Sequence, residues 1–335
     1  MIRIPSKRAL ALTACRLTQA HRWWGRVDRW HGVVVLNYHR IGDPTSSPLD
    51  RGVFSTTADG FEEQVRYLKR DCDLITSQDL PDVLSGNGRR RSVLLTFDDG
   101  YRDNYELAFP ILKVHNASAV FFISTAFIDR GVAAWWDDLA WVVRHASQTQ
   151  LEFPPWLQAP LDLRDQEAAM RTLLRLIKTL SPIERETVLD QLAHASDSER
   201  CPLEVSRATW MTWEMVQEMH ASGMEIGAHT INHPVLSYCS NEEQRSEIFG
   251  SKARLEEVLK SPVSLFSFPV GSPSSFTDRT RDLIRQAGFQ WAFSFYSGIS
   301  ESAADPFDIR RIPIEPRVSM NELRALVHMP RIFAR

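Results

Sequence analysis

Short apolar runs rich in β-branched and aromatic residues alternate with stretches of helical spacing along most of the chain. That is the pattern of strands joined by helical crossovers. VVVLNY (33–38) predicts the first strand, and Phe61, Val65 and Leu68 keep one face of the helix that follows. Residues 77–84 read as a short second helix. SVLLTF (92–97), a helix over about 104–115 and AVFFIS (119–124) then form a strand-helix-strand unit. The rhythm breaks over about 131–207, where charged helical material and a Pro154-Pro155 pair contain no strand candidate, so a helical insertion is expected there.

Alternation resumes with a helix capped by Thr212, the strand MEIGA (224–228) and a helix opened by a Ser240 to Glu243 capping box and stopped by Ser261-Pro262. VSLFSF (263–268), a helix over 279–287, WAFSF (291–295) and IRRIPI (309–314) complete the series. No internal repeat is visible. The expected organisation is an N-terminal basic and aromatic segment (1–32), one domain over 33–320 carrying the insertion, and a C-terminal tail (321–335).

Composition adds little to this picture. With 335 residues, 43% of them apolar, and a formal charge of −3, the chain is globular and no global charge draws it to nucleic acid. Cys15, Cys72, Cys201 and Cys239 are too scattered for a disulfide framework or a zinc finger and read as free thiols. No run of about 20 apolar residues exists to cross a bilayer. Residues 1–32 hold several arginines and three tryptophans, a composition suited to peripheral membrane contact. Leu12-Thr13-Ala14-Cys15 looks like a lipoprotein cleavage box behind too short an apolar run. The expected location is cytoplasmic or peripheral to a membrane, with export as the alternative.

The chemistry concentrates at two strand ends. Asp98 and Asp99 close the apolar run SVLLTF and are followed at once by Gly100. Bare carboxylates are expensive to bury, so a positive partner is expected beside them. His229 directly follows MEIGA, and His233 comes four residues later. One helical turn or a tight loop at that spacing brings two imidazoles to one side, where they can share a metal with a carboxylate. An acidic strand end also suits a nucleotidase, but no P-loop is present, and H-x-x-x-H lacks the glutamate of the H-E-x-x-H proteases.

TFDDG (96–100), HTINH (229–233) and FPVG (268–271) resemble the polysaccharide deacetylases, carbohydrate esterase family four, built on the NodB homology domain. The resemblance runs from about residue 33 to about 315, without much of the insertion. It implies a distorted (β/α) barrel of about seven strands and a divalent metal, often zinc. The implied reaction removes N-acetyl or O-acetyl groups from a polysaccharide, oligosaccharide or lipid-linked glycan. Carried over by position, it makes Asp99, His229 and His233 the metal ligands and Asp98 the general base, with an oxyanion donor in the backbone near Tyr101.

Two histidines compete for the general acid. His328, in Leu326-Val327-His328, fits the family's C-terminal L-x-H, whereas His39, directly after the first strand, suits a circularly permuted branch and is preferred for its strand-end position. The arginine that many members carry in the third motif is absent from FSFPVG (266–271), and Arg311 is the expected substitute, with Arg310 on the other face. Tyr101, Trp135, Trp136 and Phe268 are candidates to stack on sugars. Trp135-Trp136-Asp137-Asp138 is expected to be partly exposed at a lid over the site. Two alternatives remain at this stage: a carbohydrate-binding scaffold of weak activity, prompted by the missing arginine, and a hydrolase of small cyclic amides.

Overall fold

The computed structural model describes residues 30–87 and 91–333. Most of the segment 1–32, on which the membrane and export expectations rest, lies outside these residues. Its described end is not free: Trp30 is buried and donates its indole N–H to the Val327 carbonyl at 3.1 Å. No helix among the described residues is long and apolar enough to cross a membrane.

Eight strands make the main sheet: β1 (Val33–Tyr38), β2 (Asp73–Leu74), β3 (Ser92–Phe97), β4 (Val120–Ile123), β5 (Glu225–Ala228), β6 (Leu265–Ser267), β7 (Trp291–Phe293) and β8 (Arg311–Pro313). Seven run in the order β7-β6-β5-β4-β3-β1-β8, all pairs parallel, with β2 beside β3. A parallel bridge from Phe293 to Ile309 brings β7 round towards β8. The result is a nearly closed, distorted (β/α) barrel of seven parallel strands. The barrel strands are buried on both faces almost throughout, as strands between an interior and a coat of helices must be, which is why they read as continuous apolar runs.

Strand alternation decides what enters the barrel. Val33, Val35, Leu94, Val120, Phe122, Leu265, Phe293 and Ile309 form one cluster, while Val34, Leu36, Val93, Leu95, Phe121, Phe266 and Ile312 join the core under the helices. Continuing the first set by twos leads from Val35 to Asn37, from Leu94 to Thr96 and Asp98, from Leu265 to Ser267, and from Ile309 to Arg311. The polar residues at the strand ends are thus the last inward layer of the barrel.

Helices α1 (Ala58–Asp71), α2 (Leu80–Leu84), α3 (Phe109–Val114) and α4 (Thr125–Arg130) connect the first strands. Residues 104–108, expected as the first turn of an α-helix, form a π-helical turn ahead of α3. The insertion contains α5 (Trp135–Arg144), α6 (Gln166–Ile177), α7 (Pro182–Ala195) and α8 (Leu203–Thr209) around its own core of Leu139, Val143, Met170, Leu173, Leu189 and Leu192. It is not purely helical: Gln150–Leu151 pairs antiparallel with Leu161–Asp162. Two-residue strands flanked by prolines are too short to show a period-two pattern.

After the insertion come α9 (Trp213–Ala221), α10 (Asn241–Leu259), α11 (Asp278–Gln286) and α12 (Met320–His328). The expected capping box opens α10, with Ser240 and Glu243 satisfying each other's backbone N–H groups. In the segment expected as a C-terminal tail, the stretch through His328 is helical, and Leu323, Leu326, Val327 and Phe333 are buried in the main core.

Candidate active site

Asp98 follows β3, and its N–H still donates to the Tyr38 carbonyl at 3.0 Å, so it is held as a ladder residue. The chain then turns away through two left-handed residues, Asp99 at φ 76° and Gly100 at φ 95°. Aspartate tolerates that region better than most side chains. At Gly100 the backbone angle is the reason for glycine, since a Cβ would meet Ile123 only at 3.4 Å, an ordinary contact.

The partner expected for Asp98 is Arg311, whose Nη1 and Nη2 reach Oδ1 and Oδ2 at 2.7 and 2.9 Å. The same guanidinium donates to Asn37 Oδ1 at 2.5 Å, Ser267 Oγ at 2.7 Å and the Ser294 carbonyl at 2.9 Å, which uses all five of its N–H groups. Burial alone would raise the Asp98 carboxyl, but Arg311 overrides it and holds the group well below the usual carboxylate range. Asp98 is therefore a fixed carboxylate at neutral pH.

Asp99 has no such partner. Its Oδ1 is buried without a hydrogen bond and lies 3.5 Å from His229 Nε2 and 3.5 Å from His233 Nε2. One donor atom from each of the three residues falls within 4.8 Å of the others. Burial, then the charges of Asp98 and Asp137, push the Asp99 carboxyl well above its ordinary value, while burial keeps both imidazoles neutral. Neutral imidazoles and an orphaned buried carboxylate oxygen, all converging as acceptors, are a donor set that fits a divalent cation.

The two histidines lie on a tight loop and not on a helical turn. Thr230 and His233 have φ values of 66° and 53°. Glu247 of α10 holds the loop, its carboxylate accepting from the N–H groups of Ile231 and Asn232 at 2.8 Å each and from Asn232 Nδ2 at 2.5 Å. His229 Nδ1 is 2.8 Å from the Ser267 carbonyl, an interaction that fixes the tautomer and turns Nε2 towards Asp99.

His39 stands beside Asp98, Nε2 3.9 Å from its Oδ2, its ring edge-on to Phe295. Burial outweighs the pull of Asp98 and lowers its pKa to about 4. His328 is elsewhere: on α12 it meets the Tyr67 hydroxyl at 2.8 Å, among the outer helices. The family-like L-x-H at the C-terminus does not lead to the site.

Asp98, Asp99, His39, His229 and His233 share a cavity of about 550 Å³ with Trp135, Trp136 and Phe268. Of the four aromatic candidates, Trp135 and Trp136 line it from the insertion. Phe268 touches it but is fully buried, stacked on Phe276 at 3.9 Å, and Tyr101 is fully buried behind it. Neither presents a free face to a sugar. Tyr101 works instead as a brace: its hydroxyl donates to Asp137 at 2.9 Å and accepts the Trp136 indole N–H at 2.8 Å, while Trp136 packs edge-on against His233. Of Trp135-Trp136-Asp137-Asp138, expected to be partly exposed, only Trp135 is so; the last three are at most 6% exposed. Glu247, Asn37 and Ser267 were not singled out by the sequence, because each acts through a neighbour far away in the chain.

The family model for polysaccharide deacetylase matches residues 85–292. YxkH of Bacillus subtilis, whose name assigns it to the polysaccharide deacetylases, is 18% identical over 306 residues, covering 91% of this chain and 79% of the relative. A poly-β-1,6-N-acetyl-D-glucosamine N-deacetylase of Staphylococcus aureus is 31% identical over 109 residues, 29% of this chain and 38% of the relative. The solved structure of the Streptococcus pyogenes deacetylase PplD in complex with acetate superposes with a TM-score of 0.59 at 20% identity, covering 89% of this chain and 99% of the other. IcaB from Ammonifex degensii gives 0.56 at 20% identity, covering 90% and 98%. At these identities the structural likeness establishes the fold.

Proposed function

Since this chain belongs to the polysaccharide deacetylase family and is a hydrolase of non-peptide C–N bonds, we propose that it removes acetyl groups, N-acetyl before O-acetyl, from a glycan. In this reading Asp99, His229 and His233 hold a divalent cation, zinc being the choice for two imidazoles and one carboxylate. The supporting observation is the pairing of one carboxylate fixed as an anion by Arg311 with a second, unpartnered carboxylate facing two neutral imidazoles.

When bound, the cation would supply Lewis acidity, activating water and polarising the acetyl carbonyl. The residues do the rest. Asp98 takes the proton of the attacking water as general base. Arg311 holds Asp98 below the usual carboxylate range, whereas burial lowers His39 only to about 4, so that proton is handed on to His39, whose Nε2 is 3.9 Å away. From His39 it passes to the departing nitrogen. The Tyr101 backbone N–H is assigned to the oxyanion. Trp135 and Trp136 give the sugar an aromatic wall.

Arg311 on both oxygens of Asp98 supports an enzyme over the weak scaffold that the missing third-motif arginine suggested. Two tryptophans at a cavity of about 550 Å³ favour a sugar over a small cyclic amide. Action in the cytoplasm or at a membrane surface belongs to the same proposal and is checked by cell fractionation. The test of function is acetate release from N-acetylglucosamine oligosaccharides, abolished by a chelator and restored by zinc. A zinc-loaded protein that frees no acetate from any acetylated glycan in a broad panel would overturn the reading.

A further inference from the structure

Besides its aromatic wall, the active-site cavity has a cationic side. Arg171, Arg175 and Lys178 all line it, and all three come from α6 or the residue that caps it. Spaced by four and three residues, they make one stripe about 10 Å long. Leu174 lines the cavity between them, while Met170, Leu173 and Ile177 on the opposite face bury themselves in the core of the insertion. The amphipathic pattern of the helix therefore sends cations to the substrate side.

Such a stripe is usually a solvated face with its charges paired. Here the neighbouring arginines are indeed paired: Arg144 with Glu167, Arg164 with Asp162, and Arg200 with Asp138, Glu186 and Asp190. Arg171, Arg175 and Lys178 have no carboxylate partner among the described residues. All three are exposed to solvent at the cavity, and what desolvation Lys178 has lowers its ammonium below its ordinary value, with no anion to offset it. The only acids lining the cavity are Asp98 and Asp99, the first neutralised by Arg311 and the second facing the imidazoles. A fourth cation, Arg185, is buried and stacks on the Trp135 ring at 4.8 Å. The cavity that holds the reacting centre thus also offers positive charge that no carboxylate among the described residues pairs with.

We propose that the substrate is an anionic glycan, whose phosphate or carboxylate group seats on Arg171, Arg175 and Lys178 while the acetylated sugar lies over Asp98 and Asp99. This rests on the deacetylase reading of the same site and narrows its substrate class. The cations would orient the sugar and raise encounter rates without touching the reacting atoms.

The experiment compares acetate release from three N-acetylglucosamine oligosaccharides of equal length: neutral, bearing a terminal phosphate, and ending in a uronate. The expected result is a kcat/KM about tenfold higher for one or both anionic sugars than for the neutral one, shrinking as salt rises from about 50 to about 200 mM. The better of the two names the anion. In the triple variant Arg171→Gln, Arg175→Gln, Lys178→Gln, whose new residues keep helix propensity, the ratio should fall to about one, and Arg171→Lys with Arg175→Lys should keep much of it. Equal rates on all three sugars, or a preference that survives the triple variant, would overturn the proposal. If no sugar releases acetate, the deacetylase reading falls, and calorimetric titration with the phosphorylated oligosaccharide decides the cationic wall alone. Tighter binding than the neutral sugar in the wild type but not in the triple variant supports it, and equal binding refutes it.

Discussion

Arg311 grips both oxygens of Asp98, at 2.7 and 2.9 Å, from a strand 213 residues further along the chain. The two strands do not pair with each other; β1 lies between them and contributes Asn37 to both partners. Asp98 and Arg311 therefore meet inside the barrel, one strand apart. Arg311→Lys keeps the charge but loses the planar fork. It should lower kcat about tenfold or more, and Arg311→Met, which strands a buried carboxylate, should cost about 3–5 kcal/mol in urea unfolding. Wild-type rates in the lysine variant would contradict the assigned role.

His39 and His328 are separated by a single paired comparison. His39→Gln should reduce kcat by about 10²–10³ with little change in fold. His328→Gln should leave kcat alone and cost about 1 kcal/mol through its lost bond to Tyr67. Acetate-release kinetics on both variants decide the matter, and the reverse pattern would return the acid to the C-terminal helix.

Glu247 touches none of the cavity's reacting groups, yet its carboxylate fixes the loop that carries both histidines. Glu247→Ala should weaken zinc binding about 10–100-fold while the barrel stays folded. Competition against a chromogenic chelator measures this, and an affinity equal to wild type would mean the loop holds its own shape.

Two buried aspartates should tilt stability in different pH windows. Asp98 has a folded pKa below its unfolded one, so its contribution is present above about pH 4 and is lost as pH falls further. Asp137 is the opposite case: burial, partly offset by Arg40, raises it from 3.8 to about 7. Its contribution is full below about pH 4 and fades by about 4 kcal/mol as pH rises to about 7. Asp137→Asn should flatten that decline in urea unfolding across the same range. Parallel curves for variant and wild type would assign the decline to another group.

The barrel strands and the four central side chains were legible in the sequence for the same reason. Parallel strands buried on both faces write themselves as short apolar runs, and functional groups sit at their carboxyl ends, where Asp98, Asp99, His229 and His39 stand. Arg311 could be expected because strand alternation places it inward and Arg310 outward. What alternation cannot say is which aromatic face remains free after packing. Tyr101 and Phe268 sit in motifs beside the site, yet packing consumed both rings. The roles of Glu247 and of the α6 cations depend on how α10 and the insertion lie over the strand ends, a relation between distant segments that no local pattern encodes.

Asp99, His229 and His233 are proposed to share one cation. Anomalous diffraction at the zinc edge from crystals of the zinc-treated protein tests this directly. The expected result is a single strong peak about 2.0–2.2 Å from one Asp99 oxygen and from both Nε2 atoms. A peak elsewhere, or none at this site, would contradict it.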